Sequence, residues 1–119
     1  MSLATIILFQ ITWFLAATAF NLLSYLALRR GQKGWAGPDA VKAQMGVLVF
    51  AAAIVLSGFG PVLLANLAAL IVGLLLFLGG VVRHMRADPS TYASRFTLVA
   101  AVSVNLFGSF SFLIKPFFS

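Results

Sequence analysis

The fold is decided by residues 43–82, AQMGVLVFAAAIVLSGFGPVLLANLAALIVGLLLFLGGVV, forty residues without a charged side chain. As one helix rising about 1.5 Å per residue, this stretch would be roughly 60 Å long, twice the hydrocarbon thickness of a bilayer. The chain must therefore turn back, and Ser57-Gly58-Phe59-Gly60-Pro61 provides the place. Glycine permits a tight turn, and proline suits the first position of a helix. The stretch predicts two membrane-spanning helices joined by a short turn.

The overall composition also indicates an integral membrane protein. Of the 119 residues, 62% are hydrophobic and 8% are charged, and cysteine is absent. Such an apolar excess is far above that of an ordinary globular domain. In lipid the backbone must be fully hydrogen-bonded, which leaves helices or a closed barrel, and residues 65–76 do not alternate as a barrel strand would. The sequence predicts an all-α membrane protein that forms a single domain, residues 1–119.

Two further apolar segments flank the central pair. The segment before it has only uncharged polar side chains and is too long for the apolar core of a signal peptide. The segment after it follows Asp88-Pro89, a typical helix start, and ends at Lys115-Pro116. The predicted spans are 3–28, 38–57, 61–82 and 89–114, and we expect a four-helix transmembrane bundle with antiparallel neighbours.

Basic residues predict the orientation of these spans. Lys115 lies on one side of the predicted bundle, and the other seven of the eight Lys and Arg residues lie on the opposite side. Cytoplasmic loops carry the excess of Lys and Arg, so both basic loops are predicted to be cytoplasmic and both termini to lie outside a bacterial inner membrane. The seven are Arg29, Arg30, Lys33, Lys42, Arg83, Arg86 and Arg95.

The formal net charge of +6 has a membrane explanation as well. In a soluble protein it would suggest a nucleic acid partner, but here the cations flank the spans, where anionic lipid headgroups lie. No basic, aromatic surface outside the spans is large enough to bind a strand. We expect membrane lipid as a partner and no nucleic acid.

Residues that could carry chemistry are scarce. The chain has two carboxylates, Asp39 and Asp88, both at predicted helix starts, and one histidine, His84, which we expect to face the headgroups. Acid–base pairs, activated nucleophiles and metal sites cannot be assembled from these residues, and ionisable groups deep in the spans, which would indicate ion coupling, are missing. We therefore expect no enzyme activity, no cofactor and no metal.

Carboxamides and small residues remain as candidate functional positions. Small residues let membrane helices approach closely, and amides hydrogen-bond between them. One interpretation is that the polar side chains make ordinary interhelix contacts; another is that Gln10, Asn66 and Asn105 converge on a polar pathway in the outer half of the bilayer. We prefer the first, since no charge accompanies them. The polar candidates are Gln10, Asn21, Asn66 and Asn105, and the packing candidates are Gly46, Ala53, Gly73, Gly80 and Gly108.

Three functional hypotheses follow. The first is a non-catalytic accessory or assembly subunit, packed against other membrane-protein subunits through its small-residue seams and its phenylalanine-rich last helix. The second is a homo-oligomeric channel or small-solute transporter lined by the carboxamides. The third is a module that binds lipid or contacts a pigment.

Overall fold

The computed structural model describes residues 1–118, and this part of the chain is all-helical. It contains four helices that are long and apolar enough to cross a membrane: α1 (Leu3–Arg29), α2 (Ala40–Ser57), α3 (Val62–Arg86) and α4 (Arg95–Phe118). The molecule measures 46 × 20 × 20 Å, so its long axis matches a bilayer with its headgroup regions. The prediction of an all-helical, multi-pass membrane protein is confirmed.

The helices pack in a ring around a shared core. Helix α1 contacts α2 and α4, and α3 contacts the same two helices. The core is densest at Trp13, which is fully buried and meets the ring of Phe112 edge-on, with 5.3 Å between ring centroids. The other buried members of this cluster are Ala17, Val47, Val72 and Leu76, so every helix contributes to it.

Helix α2 begins two residues later than the sequence pattern suggested. It starts at Ala40, and Asp39 takes the preceding N-cap position without a capping hydrogen bond from its side chain. The Asp39 carboxylate instead lies 3.9 Å from the guanidinium of Arg83 on α3. Both side chains are more than half exposed, so the pair contributes little to stability.

Helix α3 continues four residues past its predicted end at residue 82. Its α-helical turns, Val62–Leu76 and Arg83–Arg86, are separated by a π-helical segment, Phe77–Val82. The carbonyl of Gly80 in this segment accepts a hydrogen bond of 3.2 Å from Nδ2 of Asn105. The basic residues at 83 and 86 do not stop the helix, because long cationic side chains can reach the headgroups from within a span.

Helix α4 begins six residues later than predicted. Asp88 caps only the 3₁₀ turn Pro89–Thr91, accepting from the backbone N of Ser90 at 3.0 Å. The helix itself starts after Ser94, whose Oγ accepts from the backbone N of Thr97 at 3.1 Å, while Oγ1 of Thr97 accepts from the backbone N of Ser94 at 3.0 Å. This reciprocal capping box is the stronger start signal. The last turn of α4, Lys115–Phe118, is a 3₁₀ helix.

The two basic loops, residues 30–39 and 87–94, are joined to each other. The first loop leaves α1 at Gly31, which has a φ of 73°. The backbone N of Gln32 donates to the carbonyl of Ala27 at 2.9 Å, so α1 ends in a Schellman motif. The backbone N of Ala93 then donates to the carbonyl of Gly34 at 3.0 Å. Both loops therefore lie at the same end of the bundle.

Candidate functional site

A cavity of about 200 Å³ lies between α1, α2, α3 and α4 at the end that carries the basic loops. Its polar lining comes from every helix. Asn21 is on α1, Lys42 on α2, Arg83 and His84 on α3, and Asn105 on α4. We call this space the basic cavity.

Small side chains make room for the basic cavity. A methyl group added at Gly46 on α2 or at Gly79 on α3 would meet nothing within 4 Å, and both residues line the space. Ala17, Ala43 and Ala101 form further parts of the wall. The cavity therefore exists because residues without bulk face one another at this level of the bundle.

Asn105 marks the end of the cavity nearest the core. Its Nδ2 donates to the carbonyl of Gly80, and its Oδ1 accepts from the indole Nε1 of Trp13 at 3.4 Å. The amide is thus held by α3 on one side and α1 on the other. Beyond it, Trp13 and Phe112 fill the interior, so the cavity is closed in that direction.

Asn21 is oriented by a short network between α1 and α2. Its Nδ2 donates to Oε1 of Gln44 at 2.9 Å, and Nε2 of Gln44 donates to Oγ1 of Thr18 at 3.1 Å. The sequence argument did not select Gln44 or Thr18. These bonds fix the Asn21 amide at the cavity wall and close the α1–α2 seam there.

His84 is buried, so the expectation that it faces the headgroups is wrong. Its side chain is 7% exposed and lines the cavity, and Nδ1 is hydrogen-bonded to the hydroxyl of Tyr92, which is 4% exposed. Burial raises the pKa of the Tyr92 phenol against the opposing effect of nearby Arg83, and so favours the protonated hydroxyl. Which of the two groups donates in this hydrogen bond depends on the tautomer of the imidazole.

The charges around the cavity are unbalanced. Lys42 and Arg83 both line it, and among residues 1–118 no carboxylate does. Asp39 lies beside Arg83 but outside the lining, and therefore neutralises only part of the positive charge. A recess bordered by cations and low-dielectric walls attracts anions.

Gln10 and Asn66 lie away from the basic cavity. Nε2 of Gln10 makes a long contact of 3.5 Å with the carbonyl of Ser111, and Nζ of Lys115 donates to Oδ1 of Asn66 at 2.8 Å. The structure does not bring either residue to Asn105. It brings Asn21 to the same space as Asn105 instead.

The predicted packing residues occupy two kinds of environment. A methyl group at Gly73 would come within 2.7 Å of Leu113, one at Gly80 within 2.8 Å of Asn105, and one at Gly108 would overlap the ring of Trp13. These glycines let α4 approach α1 and α3 closely. Ala53 packs against the core cluster, whereas Gly46 borders the open cavity.

The remaining basic residues selected from the sequence lie on the surface of the basic end. The guanidinium of Arg29 lies 5.9 Å from the ring centre of Tyr25. The others, Arg30, Lys33, Arg86 and Arg95, are exposed. Lys42 and Arg83 thus differ from the rest of the basic set, because they also line the cavity.

No group of three His, Asp or Glu side chains within residues 1–118 is placed to hold a metal ion. Comparisons of the chain with protein-family models, curated proteins and solved structures found no match. Function has to be argued from the basic cavity itself.

Proposed function

We propose that this chain is a non-catalytic membrane protein that binds a small anionic group in the basic cavity. One observation carries the proposal: polar side chains from every helix, Asn21, Lys42, Arg83, His84 and Asn105, surround space that is not filled by protein. Lys42 and Arg83 are exposed, and Asn21, His84 and Asn105 each also make a hydrogen bond within the protein. Here they border a space that a ligand can occupy.

The two cations in the lining favour an anion over a cation, although much of the remaining wall, including Phe20, Phe50 and Leu76, is apolar. Lys42 and Arg83 supply positive charge, and the Asn21 and Asn105 amides supply hydrogen-bonding groups. A volume of about 200 Å³ corresponds to roughly six water molecules at bulk density. This is enough for a phosphate-sized group with a small organic substituent.

We also propose an orientation of the chain in the membrane. Neighbouring helices run antiparallel, both basic loops face the cytoplasm, and both termini lie outside a bacterial inner membrane. The bias in Lys and Arg supports this orientation, as does the hydrogen bond that joins the two loops through Gly34 and Ala93. The basic cavity then faces the cytoplasmic leaflet.

The two hypotheses drawn first from the sequence receive less support. An accessory subunit was argued from small-residue seams, but Gly73, Gly80 and Gly108 contact other helices of the same chain. A channel was argued from converging carboxamides, but the interior is filled at Trp13 and Phe112. Both stay predictions, tested by copurification of other subunits and by solute flux into liposomes.

The proposal is tested by the effect of inorganic phosphate on thermal unfolding in a mild detergent. A ligand that binds only the folded state raises the melting temperature. At constant ionic strength we expect millimolar phosphate, compared with chloride, to stabilise the natural protein. Gly46→Leu should abolish this effect by filling the cavity, and Lys42→Gln should reduce it by removing a cation.

Lys33→Gln is the matched control, because Lys33 is an exposed basic residue that does not line the cavity. It should keep the full response to phosphate. A phosphate effect that is absent from the natural protein, or equally large in Gly46→Leu, would overturn the proposal.

A further inference from the structure

A second open space lies on the lipid-facing side of the seam between α1 and α2. It has a volume of about 340 Å³, and most of its walls are apolar. We call it the α1–α2 groove and define it by Leu22, Tyr25, Val41, Met45 and Leu48, which are all exposed. Its apolar lining runs along both helices, from Thr18 to Tyr25 on α1 and from Ala40 to Leu48 on α2.

The α1–α2 groove leads to the basic end of the bundle. A recess of about 330 Å³ shares Tyr25, Val41 and Met45 with the groove and extends past Pro38 to Lys42. The apolar groove therefore leads to a recess lined by the Lys42 ammonium group and also by the Asp39 carboxylate. Such an arrangement suits a molecule with an acyl chain and an anionic head.

The basic cavity shares one lining residue with the groove and another with the recess. Asn21 lines both the groove and the cavity, and Lys42 lines both the recess and the cavity. Between them the seam is closed by the bonds that link Thr18, Gln44 and Asn21. The recess, which shares Lys42 with the cavity, therefore connects the groove to the cavity without breaking these bonds.

The charges at the junction match a singly charged phosphodiester. Lys42 and Arg83 contribute two positive charges and the Asp39 carboxylate beside Arg83 contributes one negative charge, which leaves one positive charge. A phosphate monoester carries about −1.5 to −2 at neutral pH and fits this balance less well. A zwitterionic head would bring a second cation next to Lys42.

From these observations we infer that the ligand is an anionic phospholipid from the bilayer leaflet that lies on the side of the basic loops. Its phosphate lies at Lys42, its uncharged polar head enters the basic cavity, and one acyl chain lies in the α1–α2 groove. This inference rests on the proposed function, since it names the class of anion that the cavity binds.

The test is a binding titration of the purified protein by native mass spectrometry. The probes are phosphatidylglycerol, phosphatidylcholine and glycerophosphoglycerol, which is the same head without acyl chains. We expect phosphatidylglycerol to bind about tenfold or more tightly than either of the others. Lys42→Gln and Met45→Trp should each weaken it by a similar factor, the first by removing the phosphate contact and the second by filling the groove.

Val49→Trp is the control for Met45→Trp. Val49 and Met45 are both on α2 and about equally exposed, 64% and 62%, but Val49 lines neither space. We expect Val49→Trp to bind phosphatidylglycerol like the natural protein. Equal weakening in both tryptophan variants would overturn the placement of the chain in the groove.

The other outcomes separate the inference from the proposed function. Equal affinity for glycerophosphoglycerol and phosphatidylglycerol, with no effect of Met45→Trp, would contradict the inference that the ligand is a lipid. The ligand would then be a soluble anion. Equal affinity for phosphatidylcholine would overturn recognition of a net anionic head. If neither Lys42→Gln nor Gly46→Leu changes the binding of any probe, the proposed function itself fails.

Discussion

Asn105 is the residue on which the interior of the bundle depends most. A single amide on α4 accepts from Trp13 on α1 and donates to Gly80 on α3, and it also borders the basic cavity. The indole N–H and the π-segment carbonyl would otherwise face apolar surroundings. In the interior of the bundle, leaving such a group without a partner reduces stability by more than the net stabilisation that one hydrogen bond provides.

Replacing Asn105 with leucine, of similar size, should therefore reduce the free energy of unfolding by about 1–2 kcal/mol. The measurement is a thermal or SDS unfolding curve in detergent. Gln10→Leu is the comparison, because Gln10 makes only the long 3.5 Å contact with Ser111. This variant should lose less free energy of unfolding than Asn105→Leu. Equal losses in both variants would contradict the contacts described for Asn105.

Gly108 is the position with the least room. A methyl group there would overlap the buried ring of Trp13, which is itself held by Phe112. Gly108→Ala should lower the free energy of unfolding by about 1–3 kcal/mol, the usual cost of overpacking. It should also shift the fluorescence of Trp13 as the ring is displaced.

Gly46→Ala is the control for that change. It introduces the same methyl group into a helix where nothing lies within 4 Å, so stability should be unchanged or slightly increased. If Gly108→Ala were as stable as Gly46→Ala, the close approach of α1 and α4 would be wrong.

At the scale of elements, the start of α4 shows how two similar signals compete. Asp88-Pro89 and Ser94 both resemble helix N-termini, and the sequence interpretation chose the first. The structure uses the first for a 3₁₀ turn and the second for the helix, since Thr97 completes a reciprocal cap at Ser94.

Ser94→Ala should therefore destabilise the protein by about 1 kcal/mol, the typical value of a lost N-cap. Asp88→Ala removes a cap from three residues only and should cost less. Both are measured as shifts in melting temperature. If Asp88→Ala were the more destabilising of the two variants, the helix would have to begin at Pro89.

Much of the helical architecture could be predicted, because lipid leaves the backbone few alternatives. The uncharged run from 43 to 82 and the turn at Ser57–Pro61 were sufficient for α2 and α3. The π segment Phe77–Val82 could not be predicted from local sequence, and the carbonyl of Gly80 within it accepts a hydrogen bond from Asn105, a residue 25 positions away.

The basic cavity was missed for a related reason. Each helix is apolar on nearly every side, so no polar stripe indicates which face turns inward. Lys42, Arg83 and His84 were all assigned to headgroups because they lie near helix ends. A usable signal was present in Gly79-Gly80, two residues before Arg83-His84, where a pair of residues without side chains lies within one helical turn of two basic residues.

For the whole molecule, orientation is the claim with the widest consequences, since it decides which compartment the basic cavity serves. We predict that a reporter active only outside the cytoplasm will be active when fused after Ser119 and inactive when inserted in the loop at Gln32. The reason is the excess of Lys and Arg in the basic loops.

The matched control moves the charges. Changing Arg29, Arg30 and Lys33 to Gln should weaken the orientation bias and give a mixed population of reporters. A reporter at the C-terminus that is inactive in the natural sequence would reverse the topology and place the cavity on the outer side.

The hydrogen bond between the two basic loops has a consequence for biosynthesis. Helices leave the ribosome in order, and α1 with α2 can insert as a hairpin before the donor at Ala93 has been translated. His84 and its hydrogen-bond partner Tyr92 also follow the hairpin in the chain, and the cavity wall at Asn105 is translated later still. The proposed anion site is therefore complete only after α3 and α4 have packed against the hairpin, whereas the α1–α2 groove is present as soon as the hairpin has formed.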